Sequence, residues 1–318
     1  MPQRTVAVFT DEFDITADAV IMELNERGTA VFRCDPAAFP GALAVRARFG
    51  RDGWTGHLDT GSRVLDLKDV VCAWWRRPTP ITVAAAVPNA DWVRQEATAG
   101  LRGLLAALPW LNHPDDIRAA EHKPLQLAVA AQAGLTVAPT LITNDPAHAR
   151  EFAAECGPVI YKPLSGGLLD DGRIIYTSVI DPVTLDGSVT LTAHLFQQQI
   201  PKTHELRVTV VDGRIFTARI DALTAEGHID WRSDYRKLRY SQETLPSKVA
   251  AEVRVFMQLH RLRFAALDFV VTPDGEYVFL EANPNGQWAW IEDETGLPIA
   301  AAIADALERG PHDQLLVE

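Results

Sequence analysis

Cysteine is scarce in this sequence: Cys34, Cys72 and Cys156 are all that 318 residues contain. They are far apart, form no C-x-x-C pair and are odd in number, which argues against a disulfide framework and for a reducing, cytoplasmic setting. Long apolar runs are missing as well. No stretch approaches the roughly eighteen apolar residues of a membrane span, and the start, MPQRTVAVFTDEFD, closes its short apolar run with acids, so no membrane or export segment is expected. Positive charge is in deficit, with 30 Lys and Arg against 42 Asp and Glu and a formal net charge of -12. A general affinity for nucleic acid or anionic lipid is therefore not expected. Glycine signatures of nucleotide sites are absent too. The turn from Thr10 to Thr16 holds no glycine, which removes the dinucleotide fingerprint, and the Gly166-Gly167 pair does not belong to a G-x-x-x-x-G-K-[ST] loop. His113, His122, His194 and His204 show no metal-ligand spacing.

What is present is a chain with 47% hydrophobic residues, long enough for two domains or one large domain with subdomains. TVAVFT reads as a buried strand, TADAVIMELNERG as an amphipathic helix closed by Gly28, and TAVFRCD as a second strand. That β-α-β opening predicts a Rossmann-like scaffold. Short strands follow over residues 53–78, then a helix in DWVRQEATAGLRGLLAAL, and the first domain is expected to end near PWLNHPDD. From residue 116 a single helix is expected through DDIRAAEHKPLQLAVAAQAGL, then a helix in DPAHAREFAAECG, a strand in PVIYKPLS and a glycine-rich loop feeding another strand. Asp212-Gly213 and Asp274-Gly275 are hairpin dipeptides, each between two apolar runs, with the helix PSKVAAEVRVFMQLHRL between the hairpins.

The last hairpin carries chemistry. In FLEANPNGQW, Glu281 and Asn283 are two residues apart and so share a strand face, and Asp268 in ALDFVV lies on the partner strand. Three hard oxygen donors on one face suit Mg²⁺; the alternative is that Asp268 and Glu281 pair with arginines. Lys162 ends an apolar strand just before the glycine loop, where it could meet phosphate charge, and Lys123 sits on the earlier helix. Trp74 or Trp75 of AWWRRP is expected in the core, the other reading being an arginine and aromatic recognition patch.

The ordered set of helix lysine, strand lysine, glycine loop, QQQIPKTHE, Arg207 and D…E-x-N on a hairpin resembles the ATP-grasp ligases over residues from about 116 to 300. AWWRRP, KTHELRVTVV and LDFVV…FLEANPNGQW resemble most the graspetide synthetases, which macrocyclise ribosomally made peptides of the microviridin type. The resemblance implies an α/β and α+β protein: a Rossmann-like N-terminal domain (1–115), then a two-lobed ATP-grasp domain with a central lobe (116–190) and a C-terminal lobe (191–318). It implies that Lys123 and Lys162 contact ATP phosphates under the 165–172 loop, that Gln198, Gln199 and Ile200 face adenine, and that Glu205 binds ribose hydroxyls. Gln198 departs from the acid that many members carry there. Arg207, Arg219 and Arg232 would reach phosphate, acyl phosphate or substrate, and Asp268, Glu281 and Asn283 would hold Mg²⁺. The implied partner is a precursor peptide of leader and core, the leader contacting residues 168–181, with no nucleic acid or membrane partner and a homodimer left open. The implied reaction joins Asp or Glu carboxylates to Ser/Thr hydroxyls or Lys amines through an acyl phosphate. Two alternatives stand beside it: a ligase for free amino acids or a protein C-terminus, and a nucleotide-binding regulatory module without ligase chemistry.

Overall fold

The computed structural model describes residues 4–51, 53–165, 167, 171–224 and 237–311. The chain opens with β1 (Thr5–Phe9), α1 (Ile15–Glu26) and β2 (Ala30–Cys34), and the two strands pair in parallel. At the start of α1 the Asp14 carboxylate accepts from the amides of Thr16 and Ala17. The positive end of the helix is thus capped from within the chain, which explains why this scaffold needs no glycine turn for phosphate. β3 (Ala44–Gly50), β4 (Gly53–Asp59) and β5 (Val64–Asp66) form a separate antiparallel sheet. β6 (Val70–Trp75) returns beside β1, giving the order β2-β1-β6, and α2 (Ala90–Leu105) follows. Strand alternation sends Ala7 and Phe9 toward Leu101 and Leu105 of α2, and Val6 and Val8 toward Val20 and Leu24 of α1. The expected β-α-β opening is present, its two strands parallel, and Trp74 of the neighbouring β6 is buried.

The single helix expected from residue 116 is two, α3 (Pro114–Ala120) and α4 (Lys123–Gln132). Pro124 lies in the first turn of α4, where its missing N–H costs nothing but where an uninterrupted helix could not run through it. The break makes Lys123 the first residue of α4. β7 (Thr136–Val137), β8 (Thr140–Thr143), α5 (Pro146–Cys156), β9 (Val159–Lys162), β10 (Ser178–Ile180) and β11 (His194–Gln198) follow. Four of these strands make a small sheet, β10-β9-β11-β8, so the small lobe takes a strand from beyond residue 190.

β12 (His204–Val211) and β13 (Arg214–Ala222) form the first expected hairpin. Asp212 and Gly213 both have positive φ, 50° and 80°, as a two-residue turn of this twist requires. After β14 (Leu238–Glu243) and α6 (Ser247–Leu259), β15 (Phe264–Val271) and β16 (Tyr277–Asn283) complete a six-stranded sheet ordered β14-β13-β12-β15-β16-β7. One face buries Leu206, Leu267, Phe269 and Phe279 against α4 and α6. Fully buried side chains of this size each contribute about 1.5–3 kcal/mol. The chain then forms α7 (Ala289–Thr295) and α8 (Ile299–Arg309). Ile303 and Leu307 of α8 pack with Val6, Leu24 and Cys72 in one core, so the last helix closes the first domain.

Candidate active site

A cavity of about 730 Å³ lies between the small sheet and the six-stranded sheet. Its wall on the large sheet depends on an irregularity in register. β15 and β16 pair Asp268 with Glu281 but Phe269 with Phe279, leaving Leu280 as an extra residue on β16. Phe269 and Phe279 meet edge to face at 5.6 Å in the core, so strict alternation from Phe279 would turn Glu281 toward the core as well. The bulge reverses this and delivers Glu281 and Asn283 to the cavity face beside Asp268. Asp268, Glu281 and Asn283 all line the cavity.

Both carboxylates also have cationic partners. Asp268 is 4% exposed and accepts from the Arg207 guanidinium at 2.8 Å, the two residues being directly opposite on β12 and β15. Lys123 Nζ lies 3.1 Å from Glu281 Oε2. The arginine pairing weighed as an alternative thus holds for Asp268, while Glu281 pairs with a lysine. Among the described residues no group of three or more His, Cys, Asp or Glu is arranged to hold a metal. Two carboxylates and an amide fit Mg²⁺ arriving with phosphates, since it takes one or two carboxylates and fills its sphere with phosphate oxygens and water.

The small lobe supplies the opposite wall. Lys162, at the end of β9, donates to Gln197 Oε1 at 2.8 Å, and Gln197 Nε2 donates to Thr140 at 2.9 Å. The loop after Lys162 contributes Leu164, Ser165, Gly167 and 174–177, while 166 and 168–170 of the expected loop and leader segment lie outside the described residues. Gly167 has a steric reason: an added Cβ would sit 2.3 Å from the Ile175 carbonyl oxygen, which accepts no such approach. Gln198, Gln199 and Ile200 line the cavity. The amides of Gln198 and Gln199 donate to the carbonyls of Pro139 and Pro158, so both are engaged within the protein. The Gln198 side chain turns to the Cys156 carbonyl at 3.0 Å. Glu205 lines the cavity and pairs with Lys202 at 2.6 Å.

The arginines divide. Arg207 stands behind Asp268 and donates with its other amino group to the Gln287 carbonyl at 2.8 Å. Arg219 corrects the expectation of a phosphate contact. It is opposite Leu206, a core residue on the α6 face of the sheet, whereas Arg207 and Glu205 are on the cavity face. There Arg219 pairs with Asp221 at 2.8 Å, and that hydrogen bond raises its pKa while lowering that of Asp221. Arg232 lies outside the described residues.

Gln126, Gln197 and Lys202 also line the cavity, beyond the residues expected from the sequence. Gln126 grips the backbone of Ala282 from both sides, donating to its carbonyl at 2.7 Å and accepting from its amide at 2.9 Å. Its position three residues after Lys123 puts the two on one helix face, the signal that could have found it.

Known proteins bear on this geometry. The model of the MvdD pre-ATP grasp domain matches residues 6–121. The macrocyclase MdnC of Microcystis aeruginosa MRC, solved with the precursor peptide MdnA, is 30% identical over 95% of this chain and 98% of its own, with a TM-score of 0.84. The macrocyclase MdnB of the same organism is 30% identical, with 96% and 99% covered and a TM-score of 0.79. A RiPP-associated ATP-grasp ligase of Chryseobacterium gregarium, solved with ADP and a leader and core peptide, is 25% identical, with 96% of each chain covered and a TM-score of 0.87. A glutathione synthetase of Ralstonia nicotianae is 29% identical over 212 residues, which span 61% of that relative's length. With a Rossmann-like first domain, a cavity between two grasping lobes and full-length likeness to two macrocyclases, the chain belongs to the ATP-grasp ligases, in the microviridin-type peptide macrocyclase branch.

Proposed function

We propose that the protein is an ATP-dependent macrocyclase that joins Asp or Glu side chains of a ribosomal precursor peptide to its Ser/Thr hydroxyls or Lys amines. The observation that carries this reading is that one cavity is lined by Lys123 and Lys162, by Glu205 and the 198–200 segment, and by Asp268, Glu281 and Asn283. Lys123 and Lys162 offset charge on the ATP phosphates, and Glu205 accepts from ribose hydroxyls. Asp268, Glu281 and Asn283 would hold Mg²⁺, which would supply countercharge to the transferring phosphoryl group. A peptide carboxylate oxygen attacks the γ-phosphorus, the bond to the β-phosphate oxygen breaks, and an acyl phosphate and ADP result. A hydroxyl or amine of the same peptide then attacks the acyl carbon, loses its proton and expels phosphate. Both groups belong to one bound chain, so proximity supplies much of the rate.

The peptide partner is supported by the relatives solved with precursor or with leader and core. For the leader we retain the segment around β10, whose Ile174, Tyr176 and Val179 are exposed. Arg232 keeps its proposed role at the substrate. Three free cysteines and the need for ATP favour the cytoplasm. No described helix is long and apolar enough to cross a membrane.

The test is mass spectrometry of a candidate precursor incubated with the protein, ATP and Mg²⁺. Loss of the mass of one water per linkage, with ADP formed and no change for Glu281→Gln, is expected; hydroxylamine cleavage separates esters from amides. An unchanged peptide, with ATP consumed only when a free amino acid or amine is added, would overturn the macrocyclase reading.

A further inference from the structure

The loop after β16, residues 284–288, is held by side chains from the first domain. Arg76 follows β6 and is 0% exposed. Its guanidinium donates to the Asn285 carbonyl and, at 2.8 Å, to Gln287 Oε1. The same Gln287 oxygen accepts from Thr16 Oγ1 at 2.6 Å. Arg76 Nε lies 3.5 Å from Asp14, the carboxylate that caps α1. From this anchor two short paths lead to the oxygen row. Gln287 offers its carbonyl to Arg207, which donates to Asp268. Asn285 donates its amide to Asn283 Oδ1 at 3.0 Å.

We propose that Arg76 is a positioning residue for the metal-binding row, fixing Asp268 and Asn283 through the 284–288 loop and so making the Rossmann-like domain part of the metal site. This rests on the assignment of that row to Mg²⁺. Burying an arginine is costly and is weak evidence for stability, which leaves a geometric task as the reason for this one. The neighbouring acid does not depend on it, since Asp14 also accepts from Thr10 and from two helix amides. A neutral side chain of similar length at 76 therefore releases the loop and leaves the Asp14 carboxylate with its three hydrogen bonds but without its cation.

The test uses Arg76→Met and Thr16→Val, with Asp268→Asn for comparison, in the full chain. Two readouts are taken apart from turnover: hydrogen exchange of the 284–288 amides in nucleotide-free protein, and Mn²⁺ affinity in the presence of ADP, followed by water proton relaxation. For Arg76→Met faster loop exchange and about tenfold or more weaker Mn²⁺ binding are expected, the usual range for groups that orient metal ligands, with metal-free ADP affinity unchanged. Thr16→Val should move both in the same direction by less, and it decides the matter if Arg76→Met does not fold. Loop exchange and Mn²⁺ affinity at the wild-type level in a folded variant, with Asp268→Asn weakened, would overturn the positioning role. Wild-type Mn²⁺ affinity in Asp268→Asn would instead overturn the metal assignment, and the proposal with it.

Discussion

Glu281 is 25% exposed in its side chain and sits between Lys123 and the cavity, so its carboxylate serves the cavity and not the core. Glu281→Gln keeps shape and hydrogen bonding but removes a charge. The expected outcome is a melting temperature close to wild type with turnover reduced about a hundredfold or more, since metal-assisted charge stabilisation amounts to several kcal/mol; a calorimetric scan beside an ADP-release assay checks it. Lys162 makes the complementary case. Its ammonium is aimed by Gln197, itself tied to Thr140, so it is presented rather than left to wander. Lys162→Ala should weaken ATP binding by about tenfold or more, the loss of a charge-assisted hydrogen bond of about 1.5–3 kcal/mol, measurable by titration calorimetry. The place of both residues at the cavity was legible in the sequence, because a lysine closing an apolar strand and an E-x-N closing another are local patterns. The aiming residues were not, because a glutamine in a strand carries no sign of which lysine it will meet.

At the scale of elements, the β16 end and its loop combine a bulge with a glycine whose neighbours leave no room for a side chain. A Cβ at Gly286 would lie 2.4 Å from Ala266 Cβ and 2.9 Å from an Arg207 amino group. Gly286→Ala should therefore push β15 and Arg207 aside and cost about 1–3 kcal/mol, the usual range for overpacking. A lower urea midpoint is expected, together with weakened Mg²⁺ dependence of turnover, and Ala266→Gly in the same chain should restore part of both. The hairpin turns at Asp212-Gly213 and Asp274-Gly275 were readable, since positive φ is taken by both residues of the first pair and by Gly275 of the second. The division of the 116–135 helix was marked only by Pro124, and Arg219 was misassigned because cross-strand register, not proximity in sequence, decides the face.

For the whole molecule, the central fact is that the last helix belongs to the first domain's core. Arg27 of the first domain also bonds Asp305 and Glu308 of α8, at 2.7 and 2.9 Å. Cys72 is in that shared core and Cys34 in the core on the other side of the same sheet, and burial pushes both thiols up to about 12. At neutral pH neither carries appreciable thiolate, so both should resist maleimide until the sheet opens, whereas half-buried Cys156 in the small lobe should react first. The expected labelling is Cys156 alone in native buffer, then Cys34 and Cys72 together as urea rises. Early labelling of Cys34 alone would show its side of the sheet opening separately from the core shared with α8.

The sequence by itself determined the β-α-β opening, the two Asp-Gly hairpins and the residue types of the site, because strand alternation, helix periodicity and turn chemistry are short-range constraints. Only the tertiary structure decided which face those residues serve. The extra residue at Leu280 turns Glu281 from the core toward the cavity, register turns Arg219 away from it, and Arg76 meets a loop more than two hundred residues distant. Register, bulges and long-range contacts follow from how whole sheets pack, and a one-residue slip in pairing reverses every side chain beyond it.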